Sequence, residues 1–207
     1  MNLRLALPFA CLVSMTACSD RNESTQTTSN DNTSNSYASA VNTVAAPKEP
    51  TLSQLVTPND VCKLFATLSM PTPQGWVDDT SGSDTSFGCI GDPIFIGDQA
   101  EGASNPNSVE SAAVGSAVDV KGIMVAMWIR NRDESDQAVK VFLNKSTAVL
   151  KSTVKVNHLP KKIVQAIQDN SNISAEIHGI NIQVKYEEWT SGRGYTTYFI
   201  IGQDPNN

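Results

Sequence analysis

The side chains of this sequence that could do chemistry are four cysteines, two histidines and a few close carboxylates. Cys11, Cys18, Cys62 and Cys89 contain no CxxC, the spacing that lowers a thiol pKa in catalytic redox pairs. Two thiols with His158 and His178 far off lack zinc-finger spacing. His158 precedes a helix signal and His178 precedes a glycine, so both read as turn or cap residues. Glu187 and Glu188 could supply an acid and a base, but neighbours on a strand point to opposite faces. Asp78, Asp79 and Asp84 could offer oxygens to calcium, yet the EF-hand spacing is missing. Walker, HExxH, nucleophile-elbow and Rossmann glycine motifs are absent. The expectation is a chain without catalytic residues, metal or cofactor, and so a non-enzymatic one.

Residues 51–207 read as one α+β domain. Thr57-Pro58-Asn59-Asp60 combines a capping threonine, a proline at the first helical position and a capping-box acid. Val61, Leu64, Phe65 and Leu68 continue at helical spacing, and Pro71 and Pro73 end the helix. A turn-rich stretch at 74–83 leads to a short strand at 87–90. Residues 92–117, rich in glycine around Asn105-Pro106-Asn107, read as a long loop with one apolar cluster, Ile94-Phe95-Ile96. Residues 118–130 read as a strand; from 123 to 129 both alternating faces are apolar, which predicts a central strand covered on both sides. Asp133, Glu134 and Asp136 crowd a helix N-terminus, and a helical stripe runs to residue 150. Asn157 and Pro160 open a second helix that turns Ile163, Val164 and Ile167 inward. A strand at 173–177 and a turn at His178-Gly179 follow. Ile180, Ile182, Val184 and Tyr186 then alternate with polar residues, a strand with one wet face. Ser191-Gly192-Arg193-Gly194 makes a hairpin turn into a strand at 195–202. The expected order is α-β-β-α-α-β-β-β, with helices packed on a single mixed, mostly antiparallel sheet.

The N-terminus carries an address. Arg4, an apolar run at 5–15 and small Thr16 and Ala17 follow the secretion pattern, and the run is far shorter than the roughly 20 residues that span a bilayer. Met15-Thr16-Ala17-Cys18 resembles the lipobox of bacterial lipoproteins. That resemblance implies cleavage after Ala17, so that 1–17 is a signal peptide, and acylation of Cys18. Two or three acyl chains, at about 0.8 kcal/mol per buried methylene, would hold the chain on a membrane. It also implies a place in the cell envelope, and Ser19 after the cysteine implies the outer membrane in a Gram-negative cell. Residues 18–50 are rich in Ser, Thr and Asn with little to bury, and read as a disordered linker with a typical span on the order of 30 Å.

With Cys11 lost to cleavage and Cys18 to lipid, Cys62 and Cys89 remain in an oxidising compartment, where a disulfide is expected. The helix start Asp60-Val61-Cys62 and the strand Phe87-Gly88-Cys89-Ile90-Gly91 also resemble a family of uncharacterised actinobacterial lipoproteins, in which an Asp-Pro-Cys helix start is bridged to a Gly-Cys strand. Here Val61 stands in place of the proline. The likeness covers about a fifth of the chain, and it implies a tethered interaction or sensor domain.

A formal charge of −6, from 15 Lys+Arg and 21 Asp+Glu, argues against nucleic acid, which selects cationic surfaces. Trp76, Trp128, Trp189, Tyr195 and Tyr198 are either core or an aromatic recognition surface. Trp189 sits out of phase with the buried face of its strand. The leading expectation is an envelope protein-binding module whose surface includes Trp189, Tyr195 and Phe95. The alternative is a sensor or carrier with a pocket between helix and sheet for a lipid or small molecule.

Overall fold

The computed structural model describes residues 50–79, 86–97 and 106–205. The expected signal peptide, Cys18, the linker as far as residue 49, and Asp84 lie outside the described residues, as do 98–105 of the expected long loop.

The chain begins with a short helix α1 (Leu52–Leu55) and continues into α2 (Pro58–Thr67). The start of α2 follows the expected logic: Thr57 Oγ1 accepts from the Asp60 amide at 3.3 Å and donates to the Asp60 carboxylate at 2.7 Å. Val61 and Phe65 turn inward and are fully buried. Strands β1 (Val77–Asp79), β2 (Ser86–Ile96), β3 (Asn107–Gly115) and β4 (Val120–Ile129) follow as a meander. A turn of 3-10 helix (Arg132–Glu134), capped by Asn131, leads into α3 (Ser135–Thr153), and α4 (Lys161–Gln168) comes next. The chain closes with β5 (Ile173–Ile177), β6 (Ile180–Glu188) and β7 (Tyr195–Gly202). His178 and Gly179, at φ 51° and 74°, make the tight β5–β6 turn.

The seven strands form one sheet in the order β1-β2-β3-β4-β7-β6-β5, and every pair is antiparallel. The α+β class is therefore as expected, whereas the order of elements is α-α-β-β-β-β-α-α-β-β-β. Three elements correct the sequence reading. Helix α1 is a single turn, and β1 is a three-residue edge strand inside the expected turn-rich stretch. The third is β3, inside the expected loop. Its Ser-Ala-Ala run has weak strand propensity, but β2 and β4 hydrogen-bond it on both sides. Its small side chains also suit a position beneath helices: Ser111 and Ala113 are almost wholly buried.

Helices pack on one face of the sheet. Val109 and Ala113 of β3, Ile123, Val125, Met127 and Ile129 of β4, Phe199 and Ile201 of β7, and Ile182 and Val184 of β6 join Phe65, Phe142, Leu150, Ile163 and Ile167 in one core cluster. Among the described residues that cluster runs from Leu52 to Ile201. The disulfide Cys62–Cys89 ties α2 to β2 across this interface, with Cα atoms 6.1 Å apart. Strand β4 is central, as expected, but among the described residues helices cover only one of its faces. The other carries Gly122, Met124, Ala126 and Trp128, alternate with the core residues.

Candidate functional site

The helix-free face is best read as cross-strand rows, because residues directly opposite share a face. One row runs Ile90, Ala112, Met124, Ile200 and Gln183 from β2 to β6. Val77, Gly88, Val114 and Gly122 form a second. Glu110, Ala126, Tyr198 and Lys185 form a third, and Phe95, Ser108, Trp128, Thr196 and Glu187 a fourth. A bulge between Gly91 and Ile94 brings Phe95 onto this face. Without the extra residue, Ile90 and Phe95 would point to opposite sides. Proline at position 93 fits there, where the ladder is already interrupted.

This face is shaped by small residues. Gly88, Ala112 and Ala126 floor a groove of about 730 Å³, bounded by Val77, Ile90, Met124 and Trp128 and by the 73–75 turn. The C-terminal tail closes one side. Beyond Gly202 (φ 81°), Gln203 donates its amide to the Lys121 carbonyl at 2.9 Å. Its own carbonyl lies 2.1 Å from where a Cβ on Gly122 would stand, so only glycine lets the tail cross there. Asp204 pairs with Lys185, and Pro205 lines the groove. A second depression, of about 670 Å³, lies at the end of the sheet against Thr51, Lys121 and Asn181. The groove lies on the face away from the helices, and the second depression lies at the sheet's end where Leu52 of α1 meets it; under α2 and α3, Phe65, Phe142 and Phe199 are fully buried.

The aromatic residues divide between the two faces. Trp189 lies on the open face, as its phase suggests: its indole N–H donates to Thr196 Oγ1 at 2.9 Å, and its ring stands 6.3 Å from Trp128. Trp128 also meets Tyr198 edge-on at 6.5 Å and carries the Arg130 guanidinium 5.8 Å from its ring centre. Phe95 is half exposed on the same face. Tyr195 is placed elsewhere. It is opposite Ile129 and Glu188, faces the helices, and is 4% exposed, with Tyr186 at 5.2 Å and the Arg132 guanidinium at 5.3 Å. The structure thus brings Trp189 and Phe95 onto one surface and leaves Tyr195 in the core. Val77 and Ile90, which sequence reasoning did not single out, are the residues the surface adds.

No described group of three or more His, Cys, Asp and Glu side chains is placed to hold a metal ion. Glu187 and Glu188 diverge as strand neighbours should: Glu187 faces Tyr198, while Glu188 meets Tyr186 and Arg132. Among the described residues no helix is long and apolar enough to cross a membrane.

Three tyrosines hold their phenols above the ordinary value of 10.0. Burial is the main cause in each. The Glu187 charge adds to it at Tyr198, and the Glu188 hydrogen bond and charge add to it at Tyr186. Arg132 works against it at Tyr186 and Tyr195. A raised phenol pKa favours the folded chain below the unfolded value of about 10, and that contribution is lost as pH rises through the folded pKa values. Titration at 295 nm is therefore expected to show these tyrosines ionising above pH 10, with unfolding setting in over the same range. A single common midpoint at about 10 in the folded chain would contradict this.

No family model, no curated protein and no solved structure matches this chain.

Proposed function

We propose that this chain is a bacterial envelope lipoprotein, anchored through lipid on Cys18, and that its domain is a non-enzymatic protein-binding module acting through the helix-free face of the sheet. One observation carries the reading. Among the described residues four large apolar side chains are exposed, and three of them, Val77, Ile90 and Phe95, fall on that one face beside the groove. Apolar groups gathered on an open surface mark a place where another surface docks. Trp128, Trp189 and Tyr198 add rigid aromatic area of the kind that anchors interfaces. The lipobox and linker support a domain held near a membrane yet able to reorient. The net negative charge supports a protein partner over nucleic acid. The carrier alternative needs space between helix and sheet, and that layer is filled by fully buried side chains.

Photocrosslinking in the native envelope tests this. A photoreactive residue at position 90 or 95 should yield one adduct of defined size, and one at Lys162, exposed on α4, should not. The Cys18→Ser chain, expected to leave the membrane, serves as the anchoring control. Equal adducts from all three positions, or none from 90 and 95, would sink the reading.

A further inference from the structure

We propose that the groove takes a cationic amphipathic helix of a partner protein; this rests on the binding-module reading and specifies the partner's chemistry. The described ionisable residues lining the groove are Asp78, Asp92 and Glu110, all carboxylates, and none of the described lysines or arginines lines it. Two described cations stand on this face outside the lining: Lys185, offset by the Asp204 carboxylate, and Arg130, which keeps its charge over the Trp128 end of the groove. Arg130 donates to the Pro106 carbonyl and to Ser108 Oγ, both at 3.1 Å, and Lys185 pairs with Asp204. An apolar floor is thus bordered by negative charge, on a chain of net charge −6. Such a surface selects apolar side chains flanked by lysine or arginine and repels acidic counterparts.

The spacing of the apolar groups indicates a helix. Ile90 and Phe95 are five residues apart on β2, roughly 13–16 Å at about 3.3 Å per residue with the bulge allowed for. About nine to eleven residues of α-helix cover that distance at about 1.5 Å per residue, so anchors at i, i+4, i+7 and i+11 on one face would meet Ile90, the groove floor and Phe95. The groove volume of about 730 Å³ suits several such side chains.

The test uses the full chain in nanodiscs of zwitterionic lipid, with empty nanodiscs as the blank. Two labelled helical peptides of about 14 residues, one of Leu and Lys and one with Glu in place of Lys, are titrated by fluorescence anisotropy. The lysine peptide should bind about tenfold tighter or more at low salt, with the preference shrinking severalfold near 0.5 M salt. Ile90→Ser, at an exposed position, should weaken it about tenfold, and Asp92→Asn with Glu110→Gln should narrow the preference about threefold. Equal affinities, a preference for the glutamate peptide, or no binding of either peptide would overturn the proposal. So would lysine-peptide binding indifferent to Ile90→Ser. In each of these cases crosslinking from positions 90 and 95 still decides the binding-module reading on its own.

Discussion

Replacing Cys62 and Cys89 together by alanine should lower the unfolding free energy by about 3–4 kcal/mol. The two residues close a loop with a sequence separation of 27, and the chain-entropy relation for a loop of that length gives this magnitude. Alanine suits the test because both positions are buried, and serine would add a hydroxyl without an assured partner. The loss is large against the roughly 5–15 kcal/mol typical of a folded domain. At about 2–4 °C per kcal/mol for a domain of this size, the melting temperature should fall by roughly 6–16 °C. The bond also bears on the groove. It fixes β2, which carries Gly88 and Ile90, and among the described residues the only strand outside β2 is the three-residue β1. Urea unfolding of the native and double-variant chains measures the difference. A loss under about 1 kcal/mol would mean that the helix–sheet packing holds β2 without the bond.

The fold was legible where one local rule governs a segment. Thr57-Pro58-Asn59-Asp60 placed the start of α2 because capping is a matter of adjacent residues. Alternation from Ile180 to Tyr186 placed β6, and Ser191-Gly192-Arg193-Gly194 placed its turn into β7, because sheet period and hairpin chemistry are also local. The missed strand β3 is defined by two neighbours, β2 and β4, and its serines and alanines carry little preference of their own. The groove was illegible for a related reason. Ile90 and Phe95 differ in parity, so alternation alone separates them, and only the bulge at Gly91–Ile94 reunites them. Tyr195 was grouped with Trp189 by type. Its face is set by its pairing with Glu188 across the turn, which turns it toward Arg132 and the helices. The apolar residues on both faces of β4 were visible in the sequence, but the inference of two covered faces was not sound. The same pattern arises when one face packs on helices and the other, with Met124, Ala126 and Trp128, lines an open groove.

Asn107→Leu should cost about 3–5 kcal/mol and loosen one end of the groove. Asn107 is wholly buried at the start of β3, next to the end of β4. Its Oδ1 accepts from the backbone amides of Arg130 and Asn131, each at 2.8 Å, and its Nδ2 donates to the Asn131 carbonyl at 2.8 Å. One side chain thus satisfies three backbone groups where the chain leaves the sheet for α3. Leucine is close in size but can make none of these bonds, and each buried backbone group left unpaired costs about 1–3 kcal/mol. Water entering beside the new side chain would relieve part of the sum, which sets the lower end of the range. The released residues adjoin the helix-free face, since Arg130 rests on Trp128 and bonds Ser108 from this same corner. Two measurements check the claim: urea unfolding for the stability loss, and crosslinking yield from position 95 for the face. Asn107→Asp keeps the two acceptor contacts and loses the donor, so its cost should lie between those of asparagine and leucine. If leucine cost under about 1 kcal/mol, the corner would be held by the β3–β4 ladder alone, and Asn107 would not be what joins sheet, helix and groove.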